Sequence, residues 1–220
     1  ISHEIHSIFV LPGESITLNI YEPQTNDSFQ LRNDKLKATV KNNYEWVLQA
    51  PERVGNYIIK VIDEKTKEMI KLNVFVLEPY SNLKNGYLNG YKIGNYPHIP
   101  ASKRENYSLP KGFIKVTRSN QGLYLTPHFQ LEQFICKQPG NYPKYIVLKP
   151  LLLNKLEYLL NKLNQRGIYT DTFHVMSGYR TPAYNSSLGN VKFSRHIFGD
   201  AADIFIDVKP RDGHMDDLNG

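Results

Sequence analysis

Cysteine is almost missing from this chain: Cys136, in the stretch QFICKQ, is the only one. That excludes an intrachain disulfide and any zinc knuckle built from thiolates. With apolar neighbours and no activating partner close by in the sequence, Cys136 reads as a small buried hydrophobe rather than a nucleophile. Long apolar runs are missing too, and none approaches the roughly 20 residues that a membrane-spanning helix needs. The formal charge is +6, yet lysine and arginine are scattered and never form a block of five. That argues against a nucleic-acid-binding face, while an anionic cell envelope would suit the same charge. There is no internal repeat and no low-complexity tract. Hydrophobic residues make up 40% and charged residues 22% of the 220 positions, the composition of a globular protein with room for more than one folding unit. The chain opens on Ile1 rather than Met, which is expected of a processed or trimmed form.

What is present changes character along the chain. Residues 1–78 carry short runs with strand alternation: HSIFVLPG, ESITLNIY, KLKATVKN, YEWVLQAP, GNYIIKVID and MIKLNVFVLEP. Turn-forming residues separate them, at Pro12-Gly13, Pro23, Asn26-Asp27, Asn42-Asn43, Gly55-Asn56 and Asp63-Glu64. In the last run Ile70, Leu72, Val74 and Val76 are expected on one face. Trp46 is expected in the core on a central strand. Six or seven strands in so short a span suggest an all-β sandwich of immunoglobulin-like type. The phrase APERVGNYIIKV, with a turn glycine before a tyrosine-bearing strand, resembles bacterial immunoglobulin-like modules.

Residues 79–112 are rich in Gly, Asn, Pro and Tyr and are too long for a simple loop. So many tyrosines predict a connector packed on the unit that follows. From residue 113 the period changes. LTPHFQLEQFICK predicts a short helix, with Thr126 as cap and Pro127 in its first turn. From Pro150, Leu152, Leu153, Leu156, Leu159, Leu160 and Leu163 recur at helical spacing up to the stop signal Gly167, so a helix buries a leucine stripe there. TFHVMSG and DAADIFID read as strands, and RTPAYNSSLG as a loop with a helical turn.

The chemistry concentrates in SGYRTPAYNSSLGNVKFSRHIFGDAADI, residues 177–204. His196 and Asp203 bracket small residues that let a turn bring imidazole and carboxylate together, and both groups ligate zinc. A satisfied histidine at a packed turn is the competing account. The whole stretch resembles the zinc D-alanyl-D-alanine carboxypeptidases, within the wider group that holds lysostaphin-type peptidases and hedgehog domains. The matching positions are Ser177, Gly178, Tyr179, Arg180, Pro182, Asn185, Ser194, His196, Gly199, Ala201 and Asp203, and the likeness runs over about residues 113–207.

The resemblance implies an α+β zinc-peptidase-like domain with a small antiparallel sheet over 113–220, after the sandwich at 1–78 and the connector at 79–112. It implies Zn2+ held by His196 and Asp203, catalytic Arg180 beside the developing oxyanion, and substrate contacts from Ser194 and Tyr179. It further implies hydrolysis of peptidoglycan stem peptides, as a D,D- or L,D-carboxypeptidase or endopeptidase, in the periplasm or cell envelope. Relatives take a third zinc ligand and a general base from a later strand, and this chain ends at Gly220 without one, so the domain is expected to continue. His214, the only histidine after Asp203, reads as a solvated loop residue. Asp207, Asp212, Asp216 and Asp217 raise a calcium loop, which Pro210 and Arg211 argue against. His128 and His174 read as structural, and His3, His6 and His98 lie outside the matched stretch. Two other functions stay open: an inactive peptidase-like module that binds cell-wall peptide or a protein partner, and an adhesion protein whose sandwich is the working part.

Overall fold

A computed structural model describes residues 5–22, 27–33, 35–208 and 211–216. The sequence assignments at His3, Pro23, Asn26, Pro210 and Asp217 lie outside these residues. The protein is mostly β, with few helices and several small sheets.

Seven strands come first: β1 (Ile5–Val10), β2 (Ser15–Asn19), β3 (Phe29–Asn33), β4 (Lys37–Asn42), β5 (Glu45–Gln49), β6 (Gly55–Asp63) and β7 (Met69–Val76). They form one sheet in the order β1-β7-β6-β3 and a second in the order β2-β5-β4. All neighbours are antiparallel except β1 and β7, which run parallel. One core fills the space between the sheets, with Ile16, Trp46, Leu48, Ile59, Leu72 and Val74 among its buried members. Trp46 sits on β5, the middle strand of its sheet, as its bulk requires. Every residue of the edge strand β4 is exposed, and Lys37 and Lys41 mark it as an edge guarded by charge.

β3 has no counterpart among the sequence-predicted strands, because only Phe29 and Leu31 alternate in a run that is otherwise polar. β7 departs from its one-sided pattern. Leu72, Val74 and Val76 face the sandwich core, whereas Phe75 belongs to the second core and Asn73 is buried. Ile70, which the alternation placed with the inward set, is exposed at the strand's start. The outer face of this sheet is covered by later chain: Ser7 Oγ donates to the Leu125 carbonyl at 2.7 Å, Asn73 Nδ2 donates to the Tyr124 carbonyl at 2.7 Å, and Phe9 meets Phe75 at 5.7 Å.

The second core gathers Leu88, Tyr91 and Ile93 with Phe113, Phe129, Phe134, Tyr145, Leu153 and Phe173. The strand Gly112–Val116 pairs with Glu78–Pro79 on one side and Lys144–Ile146 on the other. The predicted helix near residue 130 is absent. Tyr124–Thr126 and Phe129–Gln130 form a hairpin across Pro127 and His128, and a 3-10 turn spans Leu131–Phe134. The physical reason lies in the backbone partners. Leu131 N–H reaches the Leu123 carbonyl and Glu132 N–H the Gln121 carbonyl, while Gln130 and Gln133 cap each other reciprocally. These bonds hold the segment against its own upstream chain in place of an i to i−4 ladder.

The long helix does form, as α1 (Pro150–Gln165), with proline in the first turn. Gly167, at φ 84°, closes it: Ile168 N–H bonds the Leu163 carbonyl and Gly167 N–H bonds the Asn164 carbonyl, the double bond of a Schellman end. Leu152, Leu153, Leu156 and Leu160 are buried, but Leu159 points to solvent, so the stripe is narrower than the leucine spacing suggested. A shorter helix, α2 (Pro182–Ser187), starts where the Thr181 hydroxyl accepts the Tyr184 N–H. The strands His174–Ser177 and Asp203–Phe205 pair antiparallel, with an irregularity that sets Ser177 opposite Asp203.

Candidate functional site

That two-stranded ribbon positions the polar groups. Asp203 opens one strand, and Ser177 closes the other directly across from it. The chain then turns through Gly178, where an added Cβ would lie 2.6 Å from the Phe134 Cα, so only glycine permits this approach. Arg180 follows. Its Nε donates to Ser177 Oγ at 2.8 Å and its Nη2 to Asp203 Oδ2 at 2.6 Å. The guanidinium is thereby fixed at two corners, and three of its five N–H groups have no partner among the described residues.

His196 comes from a 3-10 turn, Arg195–Phe198, that Gly199 ends in the left-handed region at φ 67°. A Cβ on Gly199 would stand 2.3 Å from the Val147 carbonyl oxygen, and the Gly199 carbonyl accepts Lys149 N–H at 2.9 Å. The turn is thus pressed onto the chain entering α1, and it delivers the imidazole inward. His196 is buried, with Nδ1 2.8 Å from the Gly178 carbonyl. A carbonyl only accepts, so Nδ1 carries a proton, and Nε2 is the nitrogen turned to Asp203. Nε2 lies 3.4 Å from Asp203 Oδ1.

This distance can be set against zinc. Tetrahedral coordination with bonds of about 2.0–2.1 Å puts neighbouring ligand atoms about 3.3–3.4 Å apart. His196 Nε2 and Asp203 Oδ1 have that separation, and the bond from Nδ1 to a carbonyl is the usual support for a metal-binding imidazole. The pair fits two zinc ligands. Among the described residues, no group of three His, Cys, Asp or Glu side chains could hold a metal ion.

The other sequence-predicted groups separate cleanly. Ser194 is buried at the head of the 3-10 turn, and its carbonyl accepts Ile197 N–H. Tyr179, read as a substrate contact, is 1% exposed, and its hydroxyl meets the Tyr96 hydroxyl at 3.0 Å. It is a core residue that anchors the connector, not a cleft wall; burial pushes its phenol well above the usual value. His214 has a side chain 78% exposed, 3.8 Å from Asp212 Oδ1. Asp207 spends its carboxylate on the Asp212 and Gly213 N–H groups, and Asp212 Oδ1 accepts His214 N–H, so these oxygens cap a turn. His174 stacks on Phe205 at 4.4 Å and lies 3.4 Å from Asp207. His128 is tied to the buried Glu157, whose two oxygens take its backbone N–H and its Nδ1. Cys136 is buried, and burial pushes its thiol up.

Two supporting groups escaped sequence reasoning: Ser177 as the brace of Arg180, and the Gly178 carbonyl as the brace of His196. Both are neighbours of Arg180 in the motif, which was the available signal.

Residues 127–214 match the family model described as Peptidase M15. The matched segment contains the whole ribbon, Arg180, His196 and Asp203, and it amounts to less than half of the chain. No curated protein matches. The M15-like segment begins at the hairpin turn and leaves out β1 to β7 and the connector. The likeness to a peptidase family agrees with a site that brings a buried histidine, a carboxylate and an arginine together.

Proposed function

We propose that the protein is a zinc-dependent peptidase that hydrolyses peptidoglycan stem peptides, with His196 and Asp203 as two of the zinc ligands and Arg180 as the catalytic cation. The observation that carries this is the His196–Asp203 pair, 3.4 Å apart with the histidine proton committed to Gly178, inside the Peptidase M15 match. A third zinc ligand is assigned to none of the described residues. Zinc in such a site supplies Lewis acidity and a water of lowered pKa. The chain's own part is orientation and charge. Ser177 and Asp203 hold the Arg180 guanidinium, and its other N–H groups would receive a substrate carbonyl oxygen as negative charge grows on it. The Gly178 carbonyl keeps the His196 proton on Nδ1.

The test is release of amino acid or peptide from a soluble stem peptide with zinc added, followed by mass spectrometry. His196→Ala should abolish release. Equal turnover by the variant would refute the assignment. An inactive module that holds cell-wall peptide is the second reading, favoured by the lack of a third ligand among the described residues. Retention of peptide with no cleavage at any zinc concentration would select it.

The substrate would place the protein in the periplasm or cell envelope. For residues 5–76 we propose an immunoglobulin-like module that docks a protein partner or positions the enzyme. Parallel pairing of β1 with β7 supports the fold, as does Tyr57, whose hydroxyl donates to the Arg53 carbonyl upstream at 2.8 Å.

A further inference from the structure

A second binding feature lies behind the turn that carries His196. Two cavities of about 480 Å³ and 500 Å³ share Pro97 and His98 and so adjoin as two lobes, the first between the connector and the 182–197 segment, the second within the connector. Arg180, His196 and Asp203 do not line it. The first lobe is mixed: Asn95, Ser186 and Asn190 line it together with Pro182 and Ile197, Lys192 is its cation, and the Asn185 amide is turned away to the Val191 carbonyl. The second is aliphatic, with Ile99 and Leu109 on its walls and Arg104 as its cation. Among the described residues that line either lobe there is no Asp or Glu.

The lining selects the ligand. A cation in each lobe and no carboxylate anywhere favour a ligand with negative charge in two places. Side-chain amides pair with peptide groups, and the aliphatic lobe takes small apolar side chains. A sugar chain would want an open aromatic face. The tyrosine of each lobe is already engaged: Tyr96 by Tyr80 at 5.7 Å and Phe198 at 5.9 Å, and Tyr107 by the Arg195 guanidinium at 5.4 Å, Phe193 at 5.4 Å and Phe198 at 5.2 Å. The cleft is also tied to the site by rigid contacts. Tyr96 packs on Phe198 at 5.9 Å and bonds the Tyr179 hydroxyl, and Ala183 N–H donates to the Ile93 carbonyl at 2.9 Å.

We propose that this cleft binds an acidic peptide in extended form, with carboxylates at Lys192 and Arg104, as a holding site distinct from the zinc ligands. Taking the probe to be a peptidoglycan stem peptide rests on the function proposed above; the site itself does not.

The experiment is a fluorescence-anisotropy titration of the metal-free chain, kept in chelator, with a dye-labelled acidic stem peptide. The wild-type chain should bind it. Each charge reversal, Lys192→Glu or Arg104→Glu, should weaken binding about fivefold, and a peptide with its carboxylates amidated should bind as weakly as the double variant. The milder Lys192→Gln and Arg104→Gln, with thermal unfolding matching the wild type, separate lost binding from lost folding. Unchanged binding by the double variant overturns the proposal. So does equal affinity for the amidated peptide, or capture of a chito-oligosaccharide in place of the peptide. Zinc is absent throughout, so binding without hydrolysis in the separate assay sinks the peptidase reading alone. Hydrolysis without this binding sinks the cleft alone.

Discussion

Gly199→Ala is the sharpest perturbation of the site's scaffold. Two separate costs add at this residue. Its φ of 67° is left-handed, which costs an L-residue about 1–2 kcal/mol. The new methyl would also stand 2.3 Å from the Val147 carbonyl oxygen, 2.5 Å from the carbonyl carbon and 2.8 Å from Leu148 N. Those atoms are backbone and cannot rotate away, so overpacking adds roughly 1–3 kcal/mol. The total is about 2–5 kcal/mol. At about 2–4 °C per kcal/mol for a chain of this size, the melting temperature should fall by roughly 10 °C. Differential scanning calorimetry of wild type and variant measures it. A fall below about 2 °C would mean that the turn relaxes freely, contrary to the close approach that seats His196.

The remaining predictions concern buried polar groups and the arginine. Glu157→Ala strips partners from both the His128 backbone N–H and its imidazole and should cost about 2–3 kcal/mol in urea unfolding, with Glu157→Gln recovering part of it by keeping an acceptor. Burial raises the Cys136 thiol above its ordinary 9.0 and the Tyr179 phenol well above its ordinary 10.0. Both groups therefore hold their protons more tightly folded than unfolded. The stability they contribute is complete below those ordinary values and is lost as pH rises through the folded ones. The unfolding free energy should fall as pH rises above 9.0, and iodoacetamide should label Cys136 only in denaturant; rapid labelling of the folded chain would refute its burial. Arg180→Lys removes the Nε bond to Ser177 and the planar fork, and should lower kcat on a stem peptide by about 100-fold with little change in KM.

Most of the first seven strands and α1 were legible for a simple reason: their apolar periods differ, two in the strands and near 3.6 in the helix. Trp46 and the Gly167 stop follow from bulk and from backbone freedom, so local sequence was enough for both. The errors arose where tertiary contacts decided. Thr126 followed by Pro127 reads as a helix start, but the hairpin and 3-10 turn bury Phe129, Leu131 and Phe134 while bonding to residues 121 and 123. β7 looked one-sided because nothing local says that the hairpin at 124–130 covers its other face. Leu159 carries the right residue at the wrong angle. At the site, the motif spacing did point to His196 and Asp203, which the structure brings within 3.4 Å. It could not reveal that Tyr179 turns inward to Tyr96, since that partner lies 83 residues away.

The central claim is that His196 and Asp203 are metal ligands, and zinc binding tests it most directly. Equilibrium dialysis should show the wild-type chain holding zinc more tightly than variants of either residue. Replacing one ligand atom, as in His196→Ala or Asp203→Asn, should weaken binding at least about tenfold. Zinc held equally well by the wild-type chain and both variants would contradict the account.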